Sequence, residues 1–150
     1  MKRLERDVFA HIPLAAAMRI HVADYEPGER LALEAPLAPN LNHEGFAFGG
    51  AIECIGTLAC WGLVWLTLEE PAALIVIQSS EVDFNTPIED ALRAEVQAPD
   101  ASIWQHFTEL FAKHGRARID LEAKIGDATH AEAACFCGRF VAKRQTSRAN

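Results

Sequence analysis

Residues 48–68, FGGAIECIGTLACWGLVWLTL, set the tightest limit on the fold. Apolar side chains occupy nearly every face of a helix built from them. Such a helix has no side to offer to water and belongs inside a shell of other elements. Five of the nine glycines, Gly45, Gly49, Gly50, Gly56 and Gly62, fall in or just before this stretch. A mid-helix Gly costs about 0.5–1 kcal/mol relative to Ala, so something must offset it, and close approach of another backbone is the simplest candidate. Glu53 and the glycines also leave the stretch short of a membrane span.

The remaining elements supply the shell. An amphipathic segment runs through His11, and Pro13 in a first turn predicts a short helix over 12–17. Ile20 and Val22, then Leu31, Leu33 and Ala35, alternate with polar residues on either side of Pro27-Gly28, a hairpin pattern. Residues 36–47, PLAPNLNHEGFA, have no period and read as a long, functional loop. The stretch AALIVIQSSEVDFNTP reads as a strand ended by Pro87, with Ile88-Glu89-Asp90 as a turn and Ala91 to Ala98 as the next strand. Residues 102–114 show helical spacing, with Ser102 and Gln105 as a capping box and Gly115 as the stop. Arg116 to Ile125 and Thr129 to Lys143 form a last hairpin across Gly126-Asp127, and QTSRAN is a polar tail. One long apolar helix against about six mainly antiparallel strands is an α+β layout in which the sheet curls around the helix.

Length and composition narrow the function. The 150 residues are 50% hydrophobic and 23% charged, which suits a single domain over 1–150. The formal charge of −7 speaks against nucleic acid as a partner. Cys54, Cys60, Cys135 and Cys137 form no CxxC pair, and the start MKRLERDVF does not read as a signal peptide. They are expected as free, buried thiols of a soluble cytoplasmic protein, with Cys135 and Cys137 filling core or dimer space and no metal site.

The stretch APLAPNLNHEGFAFGGAIECIGTLACWG resembles the YiiD C-terminal thioesterase family, whose pattern runs roughly APL-xx-N-x-N-x-x-GT-x-FGGS followed by a helix ending in GWG. Ile12-Pro13-Leu14-Ala15, Asp83-Phe84-Asn85-Thr86-Pro87, Gly115-Arg116-Ala117-Arg118-Ile119 and Gly138-Arg139-Phe140-Val141 extend the likeness over most of the chain. The resemblance implies a hotdog fold, a homodimer joined edge to edge or a tetramer of such dimers, and an acyl thioester as substrate. It implies no cofactor beyond the coenzyme A of the substrate itself. The chain departs from the pattern at Gly45-Phe46, Gly50-Ala51 and Glu53. It also has Phe48 and Thr57 where better understood hotdog thioesterases place a His and an acidic residue.

Thioester hydrolysis needs a polarised carbonyl and an activated water. Free N–H groups where the helix begins, at Gly49 and Gly50, suit the carbonyl, with the Gly50 amide as donor; the same glycines also serve packing. Glu53 and Thr57 continue the Gly49 row at i+4 and i+8. Glu53 is the candidate base, with Thr57 holding water or thioester. An ionised Glu in the middle of an apolar helix needs a partner or water, and pairing with Arg116 or Arg118 is the alternative. Asn42 is similar to the Asn that orients water or substrate in related enzymes, or else forms an Asx turn, the role given to Asn40. His43 is a possible base or a solvated loop residue.

Phe46, Phe48, Trp61, Trp65 and Phe84 supply core or the walls of an acyl slot. Arg116 and Arg118, with Arg139, Lys143 and Arg144, form a basic face for coenzyme A phosphates or an acidic carrier protein, or are solvated strand charges. A β-hydroxyacyl dehydratase using His43 and Glu53, and a non-catalytic acyl-binding module, remain alternatives.

Overall fold

The computed structural model describes residues 2–70 and 73–145; the polar tail beyond Gln145 lies outside them. Two short helices, α1 (Lys2–Asp7) and α2 (Pro13–Met18), flank a single 3-10 turn at Phe9–His11. The strands are β1 (His21–Glu26), β2 (Arg30–Ala35), β3 (Ala73–Phe84), β4 (Leu92–Gln97), β5 (Arg116–Gly126) and β6 (Ala134–Arg144). The central helix α3 spans Gly49–Leu68 and the second long helix α4 spans Ala101–His114.

All six strands form one sheet in the order β1-β2-β4-β5-β6-β3, with every neighbouring pair antiparallel. The sheet curls around α3, which lies against β2, β3, β4, β5 and β6. This is the hotdog arrangement, a helix wrapped by a curved sheet. Period-two patterning drives the wrapping: in β5, Ala117, Ile119, Leu121, Ala123 and Ile125 are buried while Arg116, Arg118, Asp120, Glu122 and Lys124 are exposed. The inner face of the sheet thus meets Ile55, Ala59, Leu63 and Val64 of α3, all fully buried. Although α3 has the length and hydropathy of a membrane-crossing helix, 56% of its apolar window is buried inside this core.

The glycines of α3 answer to side chains rather than to another backbone. A Cβ on Gly56 would sit 2.9 Å from Cβ and Cγ of Phe136 on β6, and one on Gly62 would sit 2.8 Å from a methyl of Leu31 on β2. The sheet's inward side chains therefore occupy the volume that larger helix residues would need.

Some boundaries differ from the sequence expectations. Helix α4 starts after Asp100, and no side chain caps it; Gln105 instead donates to Glu109. Strand β3 stops at Phe84, ahead of Pro87, and the N–H groups of Asn85 and Thr86 donate to the Ala133 carbonyl. Strand β6 begins at Ala134 rather than Thr129, because buried Asp127 organises a longer connection. Its carboxylate accepts from the N–H groups of Thr129, His130 and Glu89 at 2.8–3.0 Å. The loop 36–47 contains a 3-10 turn at Ala38–Asn40 and a Leu41–Ala47 bridge.

Candidate active site

The start of α3 is held from several directions. Asn40 is buried, and its Nδ2 donates to the carbonyls of Pro36 (2.8 Å) and Met18 (3.1 Å), while its main-chain carbonyl accepts from Phe48 N–H at 2.8 Å. Ala47 N–H donates to Ile88 O. Asn42 forms the Asx turn: its Oδ1 accepts from Glu44 N–H (2.9 Å) and Phe46 N–H (3.1 Å). Asn42 thus takes the Asx-turn alternative given for it, whereas Asn40, expected to be a turn residue, is instead a buried tie. Among the described residues the Asn42 Nδ2 has no acceptor.

These ties leave the helix end open. Phe48 is the N-cap residue, and its side chain cannot cap. Its carbonyl takes the N–H groups of Ala51 and Ile52, so among the described residues the N–H groups of Gly49 and Gly50 have no acceptor. Two free donors at the positive end of a 20-residue helix suit developing negative charge. Two aromatic rings frame them. Phe84 of β3 lies against Gly49, and the Phe48 ring folds over Gly50, where a Cβ would come within 2.5 Å of it. Both rings remain more than half exposed.

From this end an accessible strip descends α3 on the side facing β3: Gly50 and Glu53 exposed, Cys54, Thr57 and Trp61 half-buried. The helix is therefore not enclosed on every face. Glu53 avoids the penalty of a buried charge through exposure, and it pairs with neither Arg116 nor Arg118. Its Oε1 instead accepts from the Ser80 hydroxyl at 2.9 Å. Ser80 reaches it because β3 is irregular between Ile77 and Ser79, which turns Ser80, Val82 and Phe84 toward the helix. Trp61 closes the strip, donating its indole N–H to Ile75 O at 2.9 Å and stacking on Trp65. The Cys54 thiol is no activated nucleophile, since burial and then the neighbouring Glu53 charge push its pKa up.

The strip unites Gly49, Gly50, Glu53 and Thr57 with Phe48. His43 stands apart, solvated at the loop tip with Glu44. Arg116 and Arg118 lie on the outer face of the sheet, near the Ala73 end of β3, whereas the open helix end lies by Phe84. Of the other cations of the basic face, Arg139 is paired with Asp120 and Arg144 with Glu70. Ser80 was not foreseen; its one signal is the polar Ser79-Ser80 pair interrupting an apolar strand. The cysteines also depart from expectation: Cys60 is buried, but Cys135 is half-buried and Cys137 exposed, both on the outer face.

A helix wrapped by a single curled antiparallel sheet, with its amino end open beside an edge strand, defines a hotdog-fold protein. The family described as "Putative thioesterase (yiiD_Cterm)" matches residues 1–144, and the chain belongs to that family. A solved structure of a protein of unknown function from Chlorobaculum tepidum is 31% identical, with a TM-score of 0.88 over 96% of this chain and 94% of the other. One named a putative thioesterase, from Shewanella oneidensis, is 28% identical with a TM-score of 0.77 over 95% and 96%. A thioesterase family protein from Silicibacter pomeroyi, 16% identical with a TM-score of 0.73 over 96% and 98%, shares the fold.

Proposed function

We propose that the chain hydrolyses acyl thioesters of coenzyme A or of an acyl carrier protein, with Glu53 as general base and the Gly50 amide as oxyanion donor. One observation carries the reading: two unpartnered N–H groups and an accessible carboxylate lie one helical turn apart on the same open strip. The carbonyl oxygen points at Gly50, and Glu53 takes a proton from a water that attacks the carbonyl carbon. The tetrahedral intermediate then collapses, the C–S bond breaks, and the leaving sulfur receives the proton from Glu53. Thr57 and the Asn42 Nδ2 serve in this reading as positioning groups. Phe48 and Phe84 offer apolar cover for the acyl chain.

The working unit in this reading is a homodimer in a reducing cytoplasm. Strand β3 is the sheet edge beside the strip, and Leu74, Val76, Ile77 and Phe84 along it are exposed apolar residues. A 12-residue unpaired edge of this kind favours pairing with a second copy. Antiparallel β3 pairing would set the partner's Ala73 end beside this chain's Phe84, bringing its Arg116 and Arg118 toward the phosphates of a bound coenzyme A.

The test is free-thiol release from saturated acyl-CoAs of several lengths and from an acylated carrier protein. Release above the blank, diminished in Asn42→Ala, supports the reading. Tight acyl-CoA binding without release would replace hydrolase with binding module, and hydration of an enoyl thioester would replace it with dehydratase.

A further inference from the structure

We propose that Glu122, Cys135 and Cys137 form a binding site for a thiophilic divalent cation, Zn2+ foremost, on the outer face of the sheet. The site is independent of the helix-end chemistry. The two Sγ atoms and a Glu122 carboxylate oxygen lie within 4.8 Å of one another, with Cys137 Sγ 4.0 Å from Glu122 Oε2. Strand register makes this meeting: Cys137 pairs directly with Glu122 on β5, and Cys135 follows two residues earlier on the same face of β6.

The spacing suits a bridging ion better than a disulfide. Residues i and i+2 of a strand are about 6.6–6.8 Å apart with their Cβ atoms pointing the same way. A disulfide wants Cβ atoms about 3.5–4.5 Å apart, so closing one would require the strand to buckle. Two thiolates on Zn2+ need sulfurs only about 3.8 Å apart, given Zn–S bonds of about 2.3 Å and a tetrahedral angle. The two sulfurs already lie within 4.8 Å of each other. Two thiolates and one carboxylate complete three positions and leave the fourth to water.

The surrounding charge agrees. The nearest cations are already neutralised, Lys124 by Glu132 and Arg139 by Asp120 in a bidentate pair. Opposite the cysteines on β3 stand Glu81 and Asp83, and among the described residues neither they nor Glu122 forms an ion pair. The patch is therefore net negative around two soft ligands. Open grooves on both sides, sharing Asp120, Leu121 and Glu122, give an ion free entry.

Calorimetric titration of chelator-treated protein with Zn2+, and optical titration with Co2+, decide the matter. One ion per chain is expected, with the Co2+–thiolate charge-transfer band. Cys135→Ser and Cys137→Ser should each weaken binding by roughly 100-fold or more, exceeding the 10–100-fold of outer-shell losses. Glu122→Gln should weaken it by about tenfold, and Cys54→Ser should leave it unchanged. Since Cys137 is exposed, Cys137→Ser is expected to melt like the parent chain. No stoichiometric binding, binding indifferent to both cysteine variants, or a Co2+ spectrum without thiolate character would each overturn the site. Thiol release from acyl-CoA is read separately and bears only on the hydrolase reading.

Discussion

On the side of α3 turned toward β2, β5 and β6, Gly56 and Gly62 are enclosed by Phe136, Ile125, Leu31 and Leu4. On the side turned toward β3, Gly49 and Gly50 meet only the swinging rings of Phe84 and Phe48, and Gly50 is open to solvent. The first pair is glycine because the sheet has taken the space. The second leaves the backbone of a helix end bare where a ligand can approach. One helix therefore divides into a face that determines stability and a face available for chemistry.

Substitutions at matched positions can break that division. Gly56→Val should cost about 3 kcal/mol, since Phe136 Cβ is anchored to β6 and cannot swing away. At roughly 2–4 °C per kcal/mol, thermal melting should show a loss of about 6–12 °C. An unchanged melting temperature would mean that the enclosed face has slack.

Asp127→Ala should cost about 1–3 kcal/mol by stranding three backbone N–H groups. Burial raises the Asp127 pKa, but those donors more than offset it and hold the pKa below the ordinary 3.8. Its stabilisation is therefore present above that value and is lost as the pH falls through the native one. Asp127→Asn should flatten this part of the acid unfolding curve. Because the same connection carries Ala133, which receives Asn85 and Thr86 beside Phe84, damage here tests how far the open face depends on remote support.

Gly50→Ala probes the matching glycine on the open face. The Phe48 ring is the far end of a mobile side chain, so stability should move by no more than about 0.5 kcal/mol. Displacing that ring into the approach to the Gly50 amide should lower kcat/KM by roughly tenfold, about 1.4 kcal/mol. The smallest effect is expected for Ser80→Ala, which removes one hydrogen bond to an exposed carboxylate. A fall in kcat of a few fold, about 0.5–1 kcal/mol, with an unchanged melting curve would fit.

Much of this was legible along the chain. The apolar run at 48–68 delivers α3 at Gly49–Leu68, and alternation delivers β1, β2 and β5. Local patterns succeed where one element faces one environment. They fail where the environment comes from distant register. The exposure of Glu53 follows from its place beside the last strand of the sheet, and its partner Ser80 lies 27 residues away on an irregular strand. A two-residue turn at Gly126-Asp127 would set Cys137 across from Arg116. The longer connection built on Asp127 sets it across from Glu122 instead, so the thiol and carboxylate cluster could not be read from spacing. Asn40 reads as a turn residue because it sits in turn-forming sequence, and only its tertiary contacts with Met18 and Pro36 reveal the buried tie.

The division of α3 is tested most directly by steady-state thiol release from an acyl-CoA by Glu53→Gln beside the parent chain, with melting curves taken on the same samples. Loss of a general base should lower kcat by about 10²–10⁴-fold while the two proteins melt together. Equal turnover by the variant, or a loss of turnover that follows a loss of folded protein, would contradict the assignment of chemistry to this face.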